Sequence, residues 1–292
     1  MRGLGKVGIW SNGLRYNEDR PAVADAAAEL EQLGYGALFL PDVGGDVLGD
    51  VSFVLDATRE VALVTGILNI WMHDAAAIAA GCAELEARHP GRFTLGLGAS
   101  HAAVVNADGA PPRYGKPLSA MAGYLDALDA APQPVPPARR VLAALGPKML
   151  NLSRERAGGA HPYLVPVEHT RLARELLGPD RLLAPELSVV LDDDPASGLE
   201  RARAFVADYL ALPNYANNLR RLGFDEPDFH GGGSERLVRA LVTFGDEAAI
   251  AAGVAAHLDA GADHVAVHVV GVPNGTLQRE LWRALAPALT SL

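Results

Sequence analysis

Cysteine is nearly absent from this chain, which has 292 residues and a single cysteine, Cys82. One cysteine cannot form an internal disulfide, and its scarcity is typical of proteins from a reducing compartment. No apolar run approaches the ~18–20 residues that span a bilayer, and residues 1–20 lack the apolar stretch of a signal peptide. We therefore expect a cytoplasmic protein with no membrane partner.

An excess of positive charge is also missing. The chain has 25 Lys and Arg against 35 Asp and Glu, which gives a formal net charge of −10. Binding to a nucleic-acid backbone relies on clustered basic groups that displace counterions, and no such patch is visible. The sequence therefore predicts no nucleic-acid partner and favours an enzyme with a small-molecule substrate.

Several well-known catalytic and binding motifs are incomplete. The run GLGASH at 96–101 lacks the third glycine of a dinucleotide-binding fingerprint, and the GK at 115–116 is followed by proline. There is no GxSxG elbow of a hydrolase, no HExxH pair and no Cys/His spacing typical of zinc. These observations argue against a Rossmann enzyme, a P-loop enzyme, a serine hydrolase and a metal site.

What the chain does contain is a regular alternation of strand and helix patterns. Short runs rich in Val, Ile, Leu and Phe alternate with alanine-rich stretches of helical period. The predicted strands span residues 6–10, 37–42, 63–70, 93–100, 140–146, 160–165, 186–191 and 264–270. The predicted helices span residues 18–33, 51–60, 75–88, 116–131, 147–157, 166–177, 200–210, 235–241, 247–260 and 277–289.

Eight strands, nearly all followed by a helix, predict parallel pairing through right-handed crossovers. A single (β/α)8 TIM barrel of roughly 250 residues plus insertions fits the length, and we predict one such domain over residues 1–292. An open doubly wound sheet is the alternative. Residues 192–246 are predicted to form a helical insertion between strands seven and eight, including a loop LPNYANNLRRLGF. Such a connection is usually a lid or a cofactor cover, although a tolerated surface insertion is the other interpretation.

Alternation along strand four places small and polar residues on the inner face. Thr94, Gly96, Gly98 and Ser100 are predicted to face inward, and the two glycines would leave room for a flat ring or a ligand backbone. Ser100 and His101 would then emerge at the C-terminal rim, where the active sites of barrels lie.

Two further residues lie near the same rim. His268 is predicted to face inward near the end of strand eight, as a site residue or as a hydrogen-bonded core histidine. Asp42 ends strand two, where its carboxylate either binds ligand or accepts from loop amides.

Two helix starts have the features of anion sites. Pro147 and Pro166 stand at first helical positions, beside Lys148, His169 and Thr170. Free N–H groups and the helix dipole at such a start can hold a phosphate, although ordinary capping is the alternative.

Seven segments in chain order carry a resemblance to a known family. They are ELEQLGYGALFLPD, VTGILNIWMHDAAAIAA, HPGRFTLGLGASH, LAALGPKML, GAHPYLVPVEHT, LPNYANNLRRLGF and HLDAGADHVAVHVV. Together they resemble the luciferase-like monooxygenase superfamily and, within it, the actinobacterial oxidoreductases that use coenzyme F420, an 8-hydroxy-5-deazaflavin. The resemblance covers essentially the whole chain.

This resemblance implies a barrel, often a homodimer, with the cofactor at the C-terminal ends of the strands. It implies a non-prolyl cis peptide at the end of strand three, which we place between Gly66 and Ile67. The cofactor's phosphate tail would lie at residues 166–170. The cofactor-binding residues that it implies are Gly66, Ile67, Asn69, Gly98, Ser100, Leu145, Gly146, Pro147, Pro166, His169 and Thr170.

The resemblance also suggests catalytic residues and a substrate pocket. His101 is the expected proton donor or acceptor, because imidazole titrates near neutrality, and Asp42 matches an aspartate near the ring. Val43 and His101 replace the histidine and the acid of sugar-phosphate dehydrogenases in this family, so a sugar phosphate is not the expected substrate. The expected pocket is apolar, with Trp10, Trp71 and His268.

The leading hypothesis is a coenzyme F420-dependent oxidoreductase that moves a hydride between a substrate carbon and C5 of the deazaflavin. The second is an FMN-dependent monooxygenase of the same fold. A flavin- or deazaflavin-binding protein without turnover is the third, and a barrel that binds neither cofactor is the fourth. The identity of the small-molecule substrate is left open.

Overall fold

Parallel strands and intervening helices form the protein. The structure is a computed structural model that describes residues 3–106 and 113–292. The strands are β1 Val7–Trp10, β2 Ala37–Leu40, β3 Ala62–Thr65, β4 Leu68–Asn69, β5 Phe93–Gly98, β6 Arg140–Leu142, β7 Gly159–Ala160, β8 Leu182–Leu183, β9 Glu186–Leu191, β10 Val242–Gly245 and β11 Val265–Val269.

Helices follow most of these strands. They are α1 Gly13–Tyr16, α2 Arg20–Gln32, α3 Val47–Asp56, α4 Ala75–Arg88, α5 Ala102–Val105, α6 Pro117–Asp129, α7 Pro147–Arg156, α8 Val167–Leu177, α9 Pro195–Leu210, α10 Pro213–Arg221, α11 Glu235–Leu241, α12 Glu247–Asp259 and α13 Arg279–Leu289, with 3₁₀ helices at Pro137–Arg139 and Glu226–Gly232. Across residues 3–106 and 113–292, no helix is long and apolar enough to cross a membrane.

The strands form one curled parallel sheet. Its order is β10-β9-β11-β1-β2-β3-β5-β6-β7-β8, with β4 paired to β5. Only Ala184 and Pro185 separate β8 from β9, yet β8 ends this path while β9 lies near its other end. The sheet therefore curls until its two ends approach each other. The predicted parallel pairing and α/β class are confirmed.

The third predicted strand is interrupted in the structure. In place of one strand over 63–70, the chain forms β3 and β4, and the Gly66–Ile67 peptide bond between them is cis, as predicted. The next difference is the helix predicted at 51–60, which starts earlier, at Val47. The Asp46 side chain accepts a hydrogen bond from the Gly49 N–H, and this cap sets the earlier start.

The stretch 192–246 contains α9, α10 and α11 and also strand β10, which was not predicted and which pairs with β9. The prediction of a loop over LPNYANNLRRLGF was wrong, because α10 occupies most of it. Its asparagines are poor helix formers, but Pro213 begins the helix, and Tyr215 and Leu219 bury one face. Residues 195–241 are called the covering segment below.

The two largest hydrophobic clusters hold these layers together. The main cluster joins the sheet to its surrounding helices. A second cluster lies beneath the covering segment, where Val206 and Leu219 pack with Leu164, Val190 and Val270. The covering segment is therefore fixed to the sheet by its own packing.

Gly96 marks a very close approach of β5 to β3. A Cβ atom on Gly96 would lie 1.9 Å from the carbonyl oxygen of Thr65. The Thr65 hydroxyl also donates to Gly96 O and accepts from Gly96 N, each at 2.8 Å. The two backbones therefore cannot separate without losing buried hydrogen bonds.

We expect Gly96→Ala to lower the free energy of unfolding by about 3 kcal/mol, as overpacking of a rigid site does. Gly123→Ala is the matched control, because that helical glycine has no atom within 4 Å of an added Cβ. The control should raise stability by about 0.5–1 kcal/mol. Urea unfolding measures both changes, and equal stabilities of the two variants would contradict the prediction.

Candidate active site

A cavity of about 730 Å³ lies at the C-terminal ends of the strands. Its volume suits a small ligand or a cofactor. The predicted site residues that line it are Trp10, Asp42, Gly66, Ile67, Ser100, His101, Leu145, Gly146 and His268. The covering segment contributes Phe205, Asp208, Tyr209, Leu212, Asn214, Tyr215, Asn217 and Arg221. The cavity is thus bounded on one side by strand ends and on another by α9 and α10.

The cis peptide forms part of the cavity wall. The indole N–H of Trp10 donates to Gly66 O at 2.7 Å. A Cβ on Gly66 would lie 2.7 Å from the same indole nitrogen, so only glycine fits against Trp10. Ile67 then presents its side chain to the cavity.

The space beside Gly96 and Gly98 of β5, the fourth predicted strand, is filled by protein. A Cβ on Gly98 would lie 2.3 Å from Cδ1 of Ile67, and one on Gly96 would meet Thr65 O. The interpretation that Gly96 and Gly98 leave room for a flat ring was therefore wrong, because the segment after the cis bond packs onto them. Gly98 and Asn69 do not line the cavity.

Asp42 is buried and fully engaged in hydrogen bonds. Its Oδ1 accepts from Arg15 Nη1 at 2.9 Å and from Gly44 N at 2.8 Å. Its Oδ2 accepts from Asn69 N at 3.0 Å and lies 2.7 Å from His73 Nε2. Burial alone would raise the pKa of Asp42, but these hydrogen bonds outweigh it and lower the pKa to about 2. The carboxylate thus holds the loop after the cis bond and stays ionised.

His101 also lines the cavity, just after β5. Ser100, just before it, has a left-handed backbone with φ of 52°, which turns the chain sharply after β5. The imidazole is hydrogen-bonded to Asn214, and its ring centroid lies 5.4 Å from that of Tyr215. Burial lowers the pKa of His101, and the hydrogen bond with Asn214 partly opposes this shift. A neutral imidazole at neutral pH follows, with Nδ1 lacking a partner in the described part of the chain.

His268 belongs to a polar group that the sequence did not reveal. Its Nδ1 lies 3.3 Å from Oε1 of Glu186 and 3.2 Å from the hydroxyl of Tyr163. Glu186 is fully buried on β9. The sequence feature that could have revealed this group is Glu186 itself, a lone carboxylate in the otherwise uncharged strand 186–191.

An arginine of α10 faces the start of α7. Arg221 Nη2 would lie 3.3 Å from a Cβ on Gly146, and both residues line the cavity with Leu145. Arg221 donates to Asn218 Oδ1 at 3.1 Å, and within residues 3–106 and 113–292 it forms no ion pair with a carboxylate. A guanidinium beside a helix N-terminus is suited to a phosphate or carboxylate. Pro147, the first residue of α7, lies outside the lining.

The segment predicted to contact a phosphate tail lies behind this wall. His169 Nε2 is 2.8 Å from Leu145 O, and Thr170 Oγ1 is 2.8 Å from His257 Nδ1. Both side chains are buried and, with Pro166, do not line the cavity. Their side chains hold the Leu145 backbone and the packing of α8 rather than facing a ligand.

Trp71 also lies outside the predicted pocket. Its indole N–H donates to Ala99 O at 2.8 Å, and its ring lies 5.5 Å from that of Tyr114. Tyr114 lines the cavity in its place. Of the three residues predicted to form a substrate pocket, the structure brings Trp10 and His268 together.

Comparison with known proteins agrees with this geometry. Residues 8–132 match the family model described as luciferase-like monooxygenase, which confirms the predicted resemblance at the level of that family. No curated protein matches the chain significantly.

Solved structures of the same fold include both oxidoreductases and monooxygenases. An F420-dependent secondary alcohol dehydrogenase, in complex with an F420-acetone adduct, is 14% identical with a TM-score of 0.72, over 98% of this chain and 99% of that one. A coenzyme F420-dependent tetrahydromethanopterin reductase from Methanopyrus kandleri is 16% identical with a TM-score of 0.74, over 98% of both chains. A long-chain alkane monooxygenase is 13% identical with a TM-score of 0.68, over 100% of this chain and 92% of that one. At these identities the similarity establishes the fold.

Proposed function

We propose that the protein is an oxidoreductase that binds coenzyme F420 in this cavity and exchanges a hydride with a small organic substrate. The observation that carries the proposal is the cavity that joins the Gly66–Ile67 backbone to the guanidinium of Arg221. A planar ring with a phosphate-bearing tail matches those two features. The two similar F420-dependent structures support this choice of cofactor.

The same proposal includes a closed (β/α)8 barrel with an insertion at 192–246. Backbone hydrogen bonds on both sides of the β8–β9 junction support it: Ala184 N donates to Ala160 O, and Ala266 N donates to Pro185 O, each at 2.9 Å. Closure would place all the strand ends around one cavity.

The residues at the cavity fit the parts of this cofactor. Gly66 and Ile67 would support the ring, the Leu145–Gly146 backbone would flank the tail, and Arg221 would pair with the phosphate. When bound, the deazaflavin would accept or supply a hydride at C5 of its ring. The protein's contribution is mainly orientation and the exclusion of water by the covering segment.

Within this proposal, His101 and Asp42 have different functions. His101, neutral and next to the cavity, gives or takes a proton at the rim of the ring. Asp42 is ionised and saturated with donors, so it positions the loop after the cis bond. We assign it no proton transfer.

The second candidate is a flavin monooxygenase of the same fold that uses FMN. It is favoured by the similar alkane monooxygenase and by the fact that FMN also has a planar ring and a phosphate. A cofactor-binding protein without turnover would use the same cavity.

Tryptophan fluorescence separates these candidates. Trp10 lines the cavity and Trp71 bonds to Ala99 beside it, so a bound ring should quench their emission. We expect tight, selective quenching by coenzyme F420 in a titration against FMN. Selective quenching by FMN would instead support the monooxygenase candidate. If neither FMN nor coenzyme F420 quenches the emission, both candidates are overturned.

Arg221→Ala tests the phosphate site. We expect cofactor binding to weaken by about 10–100-fold, the value of a charged hydrogen bond. Arg220→Ala is the matched control, since that neighbouring arginine pairs with Glu226 and does not line the cavity. A cofactor analogue without the phosphate should bind the wild type and Arg221→Ala equally. Equal losses for both ligands would assign Arg221 to structure and not to phosphate binding.

A further inference from the structure

One half of the cavity is lined by aromatic rings that the cofactor proposal does not use. Trp10 and Tyr163 have centroids 5.5 Å apart, Tyr163 and Tyr209 5.6 Å, and Tyr209 and Tyr215 5.3 Å. Phe205 adds a ring 5.0 Å from Tyr209. These five residues are called the aromatic wall. Three of them belong to the covering segment, so the wall joins strand ends to the cover.

His268 is embedded in this wall with only one of its two ring nitrogens engaged. Its ring centroid lies 4.2 Å from that of Trp10 and 5.8 Å from that of Phe205. Nδ1 faces Glu186 and Tyr163. Nε2 makes no hydrogen bond with any residue that the structure describes, while His268 lines the cavity. The free nitrogen is therefore available to a ligand.

Glu186 is held rigidly behind His268. One carboxylate oxygen accepts from Leu164 N at 2.9 Å, and the other accepts from the Ser188 hydroxyl at 2.5 Å. A buried carboxylate at Nδ1 favours the tautomer with its proton on Nδ1, which leaves the lone pair on Nε2. The same carboxylate stabilises the imidazolium that forms when Nε2 takes a proton. Glu186 therefore orients the His268 imidazole so that Nε2 can act as a base.

The charges around the wall indicate the class of substrate. Among the described residues that line the cavity, Arg221 is the one Lys or Arg side chain, and it lies beside Gly146. Asp208, next to Tyr209 on α9, is the charged residue nearest the wall in sequence. An anionic substrate would find no cation here and would be repelled by a carboxylate. Apolar rings and one proton acceptor suit an uncharged molecule with a single hydroxyl or carbonyl group.

We propose that His268, positioned by Glu186, exchanges the proton of the substrate oxygen of an uncharged, largely apolar alcohol or ketone bound against the aromatic wall, while His101 serves the ring. The inference rests on the proposed function, because the deazaflavin is the two-electron oxidant. In the oxidation, the substrate's O–H bond breaks and its proton passes to Nε2. The carbon gives up a hydride to the deazaflavin, and the oxygen's electron pair forms the carbonyl. Ketone reduction is the reverse, with imidazolium as the proton donor.

Two phenols that face His268 stay protonated over the assay range of roughly pH 5 to 9. Burial raises the pKa of Tyr163 well above its usual value and that of Tyr209 to about 12. The buried carboxylate of Glu186 lies on the Nδ1 side of the same imidazole.

The first experiment needs no cofactor. Nitrogen-15 NMR of the full chain gives the tautomer of His268 directly. The His268 signals are assigned as those that disappear in the His268→Gln variant. We expect Nδ1 to carry the proton in the wild type and the tautomer to change in Glu186→Gln. Ser188→Ala, which leaves the carboxylate in place, is the matched control and should keep the wild-type tautomer. A proton on Nε2 in the wild type, or no change in Glu186→Gln, would overturn the positioning by Glu186 even if F420 fails to bind.

The second experiment uses coenzyme F420 with 1-phenylethanol, and with mandelate as the matched anionic probe. We expect turnover of 1-phenylethanol and not of mandelate. His268→Ala should lower kcat/KM by ~10²–10⁴-fold and regain activity with added imidazole, with F420 affinity unchanged. Activity unchanged in His268→Ala, or a preference for mandelate, would overturn the proposal. Failure of F420 to quench fluorescence would instead overturn the proposed function.

Discussion

His101→Ala is expected to retain cofactor binding and to lose ~10²–10⁴-fold in turnover, the usual contribution of a positioned acid or base. The imidazole lines the cavity, but its described contacts are with Asn214 and Tyr215 of the covering segment. Removing it should leave the cis peptide and Arg221 in place, so the dissociation constant for the cofactor should change by less than about threefold. Steady-state kinetics and the fluorescence titration measure the two quantities.

His230→Ala is the matched control for this prediction, because that histidine is exposed and does not line the cavity. It should leave both turnover and binding unchanged. Burial lowers the pKa of His101, so its neutral form should prevail at and above neutral pH. Wild-type rates in His101→Ala would remove the assignment of proton transfer to His101.

Asp42→Asn is expected to lower the free energy of unfolding by about 3–5 kcal/mol, the usual effect of breaking a buried ion pair. The Arg15 side chain is 2% exposed and would lose its buried carboxylate partner, although it keeps its ion pair with Asp50. His73 and the Asn69 N–H would lose a carboxylate acceptor as well. Asp56→Asn is the control, since that carboxylate and its partner Arg88 are each about half exposed; its effect should stay within about 1 kcal/mol.

The pH dependence of stability should identify the same carboxylate. Because folding lowers the pKa of Asp42 from its ordinary value to about 2, its ionised form stabilises the native state above about pH 4. This contribution, roughly 2 kcal/mol, is lost as the pH falls through about 2. Urea unfolding from about pH 6 downwards should therefore show a smaller loss of stability in Asp42→Asn than in the wild type. Parallel curves for the two proteins would contradict this account.

The alternation of elements could be predicted from the sequence because each strand has an apolar run and each long helix an amphipathic period. All eight predicted strands have a counterpart in the sheet. The two-residue β8 is too short to leave a pattern, while β10 carries few apolar residues. Helix α10 escaped prediction because its asparagines argue against a helix and only tertiary packing favours one. A homodimer and a cytoplasmic location stay predictions.

Site residues could be predicted from the sequence where they stand at the end of a strand. Trp10, Ser100, His101 and His268 meet in the cavity for that reason. Glu186 and Arg221 were missed, because each matters through a contact with a residue that is distant in sequence. Glu186 contacts His268, 82 positions away, and Arg221 lies beside Gly146, 75 positions away. The side chain of His169 contacts Leu145 O and does not line the cavity, because no one-dimensional pattern encodes side-chain direction.

The separate hydrophobic cluster beneath the covering segment has a consequence for how this protein can diversify. Tyr209 and Phe205 face the ligand space from a helix whose anchoring residues, Ala202 and Val206, pack in that second cluster. The main cluster between sheet and outer helices contains none of the four. Both rings also pack against that second cluster, so substitutions on the ligand-facing side of α9 should disturb the second cluster and spare the main one. The ligand-facing residues of α9 can thus vary while the main cluster between sheet and outer helices keeps its sequence.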